Sequence, residues 1–345
     1  MNTMRTKIVY ILISDNSDFY FEQILVSTFS LRRYNPDVVV ELVVDEDTNM
    51  TLVNNRAQIR NYVNSIVQVD VPKEYSKKQR SRFIKTNLRN LISGDFLFID
   101  TDTIIRSSLN EIDNISYDVC ATQEYNCLSH FTMNDKYMYD LAARVGLGKE
   151  LVGEPYFNSG VIYAKDSSMA HLLYETWHSS WKETMSKGLT TDQTPLCWAN
   201  KKAGHVMSFL DDSWNCLIKL NGLENERDAK IIHYACEHKG TRHILSLECF
   251  FATLKHNGVA IPIIDYFIES PSLFILSDKE EIFFRKVKNI NFLYSYSKSL
   301  FSFILWQAEL YKSTYDLMIR CKIGFICQKV RLLFSKLGTK HHSNE

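Results

Sequence analysis

The sequence predicts an α/β protein with a mostly parallel central sheet, flanking helices and a helical extension at its C-terminal end. Three observations predict it. Short apolar, β-branched runs alternate with longer helical patterns through the N-terminal part. Those runs are apolar almost throughout rather than at every second position, which is the pattern of strands covered on both faces. From about Ser270 the texture changes to aromatic and basic helical patterns. The expected division is therefore a catalytic domain over 1–270 and an aromatic, basic helical region over 271–345.

KIVYILI (residues 7–13) is the first strand, and residues 19–34 form a helix that Asn35-Pro36-Asp37 stops. VVVELVV (38–44) is the second strand and 48–63 the second helix. SIVQVDV (65–71) is the third strand; 76–91 is a helix ended by Ser93-Gly94-Asp95. FLFI (96–99) is the fourth strand. Later elements are less regular: strands at 117–123 and 160–164, helices at 169–185 and 192–202, and a last strand, KIIHY, at 230–234. Ligands of such sheets bind outside the carboxyl ends of the strands. Ser14 and Asp15 sit at one such end, and Asp100 and Asp102 at another.

The 345 residues suffice for one large domain or two ordinary ones. Apolar residues make up 45% and charged residues 23%, as in ordinary soluble chains. Net charge is zero but unevenly spread: from Ile282 onward 11 Lys/Arg face 3 acids, a net +8, against −8 before it. No nucleic-acid partner is expected. The eight cysteines include no C-x-x-C pair, which argues against a zinc site or a disulfide scaffold and for reduced thiols in the cytoplasm. The apolar run 8–13 is too short for a secretory signal, and no apolar stretch approaches the roughly 20 residues of a membrane span.

FLFIDTDTII (96–105) ends a buried strand in two carboxylates one residue apart. Such a pair repels itself unless a cation lies between. One reading is a divalent metal bound to a nucleotide diphosphate, since hard oxygen ligands suit Mg²⁺ or Mn²⁺. A second is a phosphatase of the haloacid dehalogenase type, whose pattern is four apolar residues and then D-x-D-x-T. FLFIDTDTI nearly matches it, with Asp211-Asp212 as a later acidic pair. A third needs only a solvated strand end. Position weighs against the phosphatase, whose motif usually opens its domain; here three strand–helix units come first.

Further blocks follow the same order along the chain: ILISDNSDFY (11–20), SRFIK (81–85), the acidic strand end, EPYFNSGVIYAKDS (154–167), TDQTPL (191–196) and IIHYACEHKG (231–240). With these blocks the chain resembles a glycosyltransferase of the GT-A fold, family 8, the group of glycogenin and the bacterial lipopolysaccharide galactosyltransferases. FNSGV (157–161), matched residue by residue to the family's F-N-[AS]-G-V, is the most specific block. The resemblance implies that Ser14, Asp15 and Asn16 hold the uridine and that Arg82, assisted by Lys85, reaches the diphosphate. It assigns Asp100 and Asp102 to the metal and the donor, with His233 completing the metal shell as Mn²⁺ or Mg²⁺ binds. Asn158 and Ser159 would contact donor sugar, and Gly160 would let backbone approach a ligand. Asp192 and Gln193 would flank the reacting carbon, and Lys239, six residues after His233, would hold the diphosphate. The chain departs from the family at Cys236, where a Gly is usual, and at Gly240-Thr241, where Pro-Trp is usual.

The implied reaction moves a hexose from a UDP-sugar to a hydroxyl of a glycan or lipid-linked saccharide, with retention, in lipopolysaccharide or capsule synthesis. Double displacement needs a carboxylate nucleophile, and Gln193 is a poor one, so a same-face route stays open beside it. Glu124 reads either as a sugar contact or as a loop acid. An inactive nucleotide-sugar-binding protein is the remaining alternative. The region 292–334 mixes aromatic residues with Lys and Arg at near-helical spacing. It reads as a peripheral anchor on the inner face of the cytoplasmic membrane or as a helical subdomain on the core.

Overall fold

The structure is a computed structural model that describes residues 4–124, 136–217 and 228–234, and a few residues between 242 and 276. The chain divides into two compact units, Met1–Cys236 and Glu237–Glu345. The expected boundary at 270, the basic tail beyond it and Lys239 lie outside the described residues. In the second unit Arg242–His243 pairs antiparallel with Ile275–Leu276.

In the first unit the elements run β1 (Lys7–Leu12), α1 (Tyr20–Tyr34), β2 (Val40–Asp45), α2 (Glu46–Thr51), β3 (Ser65–Val69), α3 (Lys77–Thr86), α4 (Leu88–Leu91) and β4 (Phe96–Ile99). There follow β5 (Thr103–Ile105), β6 (Val119–Gln123), α5 (Lys136–Arg144), β7 (Phe157–Ala164), α6 (Ser168–Ser186), α7 (Gln193–Lys202), β8 (Met207–Phe209), β9 (Cys216–Leu217) and β10 (Ile231–His233). Seven strands form one sheet in the order β3-β2-β1-β4-β7-β6-β8. From β3 to β4 every pairing is parallel. Strand β7 runs against both β4 and β6, and β8 is again parallel to β6. The sheet is thus mostly parallel, with helices around it, as expected.

All residues of β4 and β7 are buried; β4 is apolar throughout, whereas β7 buries Asn158 and Ser159 at its start and turns apolar after Gly160. Below the sheet, Trp177 of α6 is fully enclosed among Phe96, Tyr174 and the β-strand side chains. Burying aromatics of this size contributes on the order of 3 kcal/mol each.

Two expected helices are broken. The span 48–63 becomes α2 and a 3-10 helix, Asn54–Asn61. Asp45 caps α2 by accepting from the Thr48 N–H, and Asn54 then adopts φ 51°, the left-handed conformation that Asn tolerates and a helix interior excludes. The span 76–91 starts at a Ser76–Gln79 capping box but breaks at Asn87, whose φ is −109° and ψ 6°.

The decisive feature for function is a change of sheet. At Ile99 the chain leaves the large sheet, and at Thr103 it enters a small one of order β5-β10-β9. Asp100-Thr101-Asp102 is the junction. Thr103 stands opposite His233 in the antiparallel β5–β10 pair, which brings the acidic turn and a histidine from far along the chain to one place.

Candidate active site

The junction is held by backbone. Asp100 N–H donates to Gly160 O at 2.8 Å, and Tyr234 N–H donates to Asp102 O at 3.1 Å. Beneath it runs a buried line of hydroxyls. Thr103 Oγ1 donates to Asp100 O at 2.9 Å, Ser27 Oγ lies 2.7 Å from Thr103 Oγ1, and Tyr10 OH lies 2.8 Å from Ser27 Oγ. Thr103 is therefore a strut under the turn, not a loop residue facing a substrate.

Ligand atoms of Asp100, Asp102 and His233 lie within 4.8 Å of one another. Oxygen ligands of a six-coordinate Mg²⁺ stand roughly 3–4 Å apart, so a small inward movement brings the trio to coordination distance. Two carboxylates and an imidazole are a donor set for a divalent cation. His233 Nε2 is 3.2 Å from Asp102 Oδ1, and His233 Nδ1 is 3.0 Å from Asn215 Oδ1. Burial pushes the Asp100 carboxyl above the usual carboxylate range; the Lys85 ammonium opposes this and the Asp102 charge adds to it. Burial presses the same way on Asp102, but the His233 charge and hydrogen bond outweigh it and leave it below that range.

Around this trio lies a compact set of ion pairs. Lys85 is buried, with Nζ 3.1 Å from Asp100 Oδ1 and 3.3 Å from Asp192 Oδ2, and its ammonium stands 4.8 Å above the Phe98 ring. Arg82 Nε donates to Asp192 Oδ1 at 3.1 Å. Asp192 also accepts from Ser159 Oγ at 2.8 Å. Burial would raise the Asp192 carboxyl, but the Arg82 and Lys85 charges and the Ser159 bond together hold it well below the usual range. Asp192 precedes α7 directly, and its backbone carbonyl accepts from Trp177 Nε1 at 2.8 Å.

A run of amides leads away from His233. Asn215 Nδ2 donates to Asn158 Oδ1, and Asn158 Nδ2 donates to Glu124 Oε2, each at 2.8 Å. Gln193 Nε2 also donates to Glu124 Oε2, and lies 3.3 Å from Phe157 O. Glu124 is thus a buried acceptor for two amides. Gly160 has a different use from the one its sequence suggests. A Cβ there would lie 2.6 Å from His233 Cε1, so the glycine makes room for the histidine ring.

The loop after β1 is a second locus, at the carboxyl end of the strand beside β4. Ser14 Oγ donates to Asp18 Oδ1 at 2.6 Å, and Arg56 binds Ser14 Oγ at 3.0 Å and Asp15 O at 2.7 Å. Lys77 Nζ pairs with Asp15 at 2.6 Å and Asp18 at 2.7 Å. The Lys77 and Ser17 bonds hold the Asp15 carboxyl far below its ordinary range. Asn16 is exposed, and Tyr20 is half-exposed at the start of α1.

Of the residues singled out from sequence, Arg82, Lys85, Asp100, Asp102, Asn158, Ser159, Asp192, Gln193 and His233 come together through these contacts. Ser14, Asp15 and Asn16 form the neighbouring loop. Asp211 and Asp212 go elsewhere: Asp211 caps a 3-10 turn through the Ser213 N–H, and Asp212 accepts from Gln123. Arg56, Lys77 and Asn215 were not found from sequence. Arg56 and Lys77 look like ordinary surface cations there, and Asn215 belongs to no block.

No family model matches the chain, and no curated protein matches it. Solved structures similar to it include the galactosyltransferase LgtC in complex with donor and acceptor sugar analogs, at 17% identity over 74% of this chain and 98% of that one, TM-score 0.48. Mouse xyloside xylosyltransferase 1, in its apo form, is 15% identical over 67% of this chain and 98% of that one, TM-score 0.45. The glycosyltransferase GlyE of Streptococcus pneumoniae TIGR4 is 16% identical over 78% of this chain and 64% of that one, TM-score 0.47. All three neighbours are glycosyltransferases, but at such identities and TM-scores it is this chain's own residues that decide what its site can do.

Proposed function

We propose that the protein is a retaining glycosyltransferase of the GT-A type that moves a hexose from a UDP-sugar to a hydroxyl of a glycan or lipid-linked saccharide. The observation that carries this reading is the convergence of Asp100, Asp102 and His233 beside Lys85, Arg82 and Asp192. With His233 neutral, two cations face three carboxylates and leave one negative charge. A divalent ion, Mn²⁺ or Mg²⁺, reverses that sign and suits the locus to an anionic diphosphate.

Such an ion supplies Lewis-acid stabilisation of the leaving diphosphate. The protein's own part is to hold that charge. Arg82, partly exposed, turns its guanidinium toward the locus while Asp192 anchors it, and Lys85 anchors Asp100. Lys239 is proposed as a further cation for the diphosphate. Ser14, Asp15 and Asn16 are proposed to hold the uridine, with Tyr20 as a stacking face. Asn158 and Ser159 are proposed to face the donor sugar.

Gln193 turns its Nε2 toward Glu124, which leaves its carbonyl oxygen to face a cationic anomeric carbon. Asp192 is tied by Arg82, Lys85 and Ser159, and Glu124 by two amides. Carboxylates so engaged are poor nucleophiles, which supports the same-face route over double displacement. Among the described residues no helix is long and apolar enough to cross a membrane. For the basic tail we propose contact with an anionic membrane surface, inside the cell, where lipid-linked acceptors lie.

A thermal-shift screen tests the reading. UDP with Mn²⁺ should raise the melting temperature by several degrees, and either alone by less. A response to vanadate or beryllofluoride with Mg²⁺, and none to UDP, would replace the transferase by a phosphatase.

A further inference from the structure

The polarity of the amides beneath the metal locus can be worked out from one fixed donor. Gly160 N–H donates to Asn158 at 2.8 Å. A backbone N–H can only donate, so the Asn158 atom facing it is the carbonyl oxygen. The same oxygen is 2.8 Å from Asn215, so the Asn215 atom there is the NH₂. The other end of the Asn215 amide is then its oxygen, and this atom lies 3.0 Å from His233 Nδ1. The histidine must therefore carry a proton on Nδ1. Its Nε2 faces Asp102 Oδ1, 3.2 Å away: the imidazolium donates to that carboxylate, and the neutral ring, with its proton on Nδ1, presents a lone pair there that a cation can share with the carboxylate. At the other end of the line, Asn158 Nδ2 donates to Glu124, and Glu124 accepts Gln193 Nε2.

We propose that Asn215 is a positioning residue that sets the His233 tautomer, so that Nε2 is presented as a metal ligand, and that Asn158 passes the same polarity on to Glu124 and Gln193. Asn215 is fully buried, and both ends of its amide are used in one direction. A partner that fixes the far ring nitrogen of a metal-binding histidine typically changes metal affinity by 10- to 100-fold when lost. Gly160 serves the device twice: its N–H starts the relay, and its missing Cβ admits the ring. The inference rests on the metal-dependent reading of the site.

The test compares Mn²⁺ binding to the full-length chain by calorimetry for the native protein, Asn215→Leu and Asn215→Asp. Asn215→Leu should weaken Mn²⁺ at least about 10-fold. Asn215→Asp keeps an acceptor for Nδ1–H but loses the donor to Asn158, so it should weaken Mn²⁺ less than Asn215→Leu does, even though a buried carboxylate makes it the less stable of the two by melting temperature. A residue that only fills space predicts the reverse order, so equal Mn²⁺ affinity in folded Asn215→Leu, or tighter binding than in Asn215→Asp, overturns the proposal. An independent arm needs no variant of Asn215. In metal-free native protein labelled with ¹⁵N-histidine, at a pH where the ring is neutral, the His233 signal, identified by its loss in His233→Gln, should show the proton on Nδ1. A proton on Nε2 overturns the relay. Absence of Mn²⁺ binding to native protein, with the proton on Nδ1, leaves the relay standing and removes the metal reading instead.

Discussion

The two loci at the carboxyl ends of neighbouring parallel strands are built in opposite ways. The loop after β1 is tied beneath by the buried Arg56, but its ion pair lies near the surface: Lys77 and Asp15 side chains are 42% and 46% exposed. The locus after β4 is closed by partners that water scarcely reaches: Lys85 and Asp192 are 2% and 5% exposed. An exposed ion pair contributes about 0–1 kcal/mol, whereas stranding one member of a buried pair costs about 3–5 kcal/mol. The ion pair of the first locus can therefore rearrange around a ligand at little cost. The second is set before any ligand arrives.

Five substitutions break or sharpen this contrast. The largest effect is expected from Asp102→Asn, or equally Asp100→Asn. Each should lower Mn²⁺-dependent turnover of a UDP-sugar by roughly 10³-fold while the circular dichroism spectrum stays native. Undiminished turnover in both variants would falsify the assignment of this turn to the site.

Next comes Asp192→Asn, which leaves Lys85 and Arg82 without their shared carboxylate. A stability loss of about 3 kcal/mol is expected, read as a drop of roughly 6–12 °C in the melting temperature. An unchanged melting temperature with lost turnover would mean that Asp192 faces substrate and carries no structural charge.

Gly160→Ala should cost about 1–3 kcal/mol through overpacking, because the new methyl meets the His233 ring at 2.6 Å. Mn²⁺ affinity should fall with it, since the ring has to move. Stability lost without any change in Mn²⁺ affinity would separate the glycine from the metal locus.

The smallest effect is expected at the exposed locus. Lys77→Ala removes partners of Asp15 and Asp18 and should cost at most about 1 kcal/mol, with UDP binding weakened no more than about 5-fold by the same free energy. A loss as large as that of Asp192→Asn would erase the contrast between the loci.

The elements that could be read from the chain are those whose cause is local. The nearly all-apolar runs of β1, β2 and β4 report burial on both faces, and helix α6 lies within one residue of its expected ends at both termini. The Asp100–Asp102 pair points to a cation because two carboxylates one residue apart at a buried strand end repel each other. The broken helix at Asn54 is not visible in the apolar spacing, which continues through the break, because the left-handed conformation of one residue leaves no mark on periodicity.

The reversal of β7 was not legible either, since a strand buried on both faces has the same composition in either direction. The identity of the acidic strand end, the FNSGV block and the strand-end histidine lie in the order of residues, because each needs a particular side chain at a particular place on its own element. Which partner each of them meets is another matter. Arg82 meets Asp192 across 110 positions and Asn215 meets Asn158 across 57, and no periodicity of 2 or 3.6 residues records a contact between segments so far apart. Those pairings exist because the chain changes sheets at Asp100 and because Gly160 has no side chain to hold the His233 ring away, so the polarity of the site is set by packing across elements rather than by any one of them.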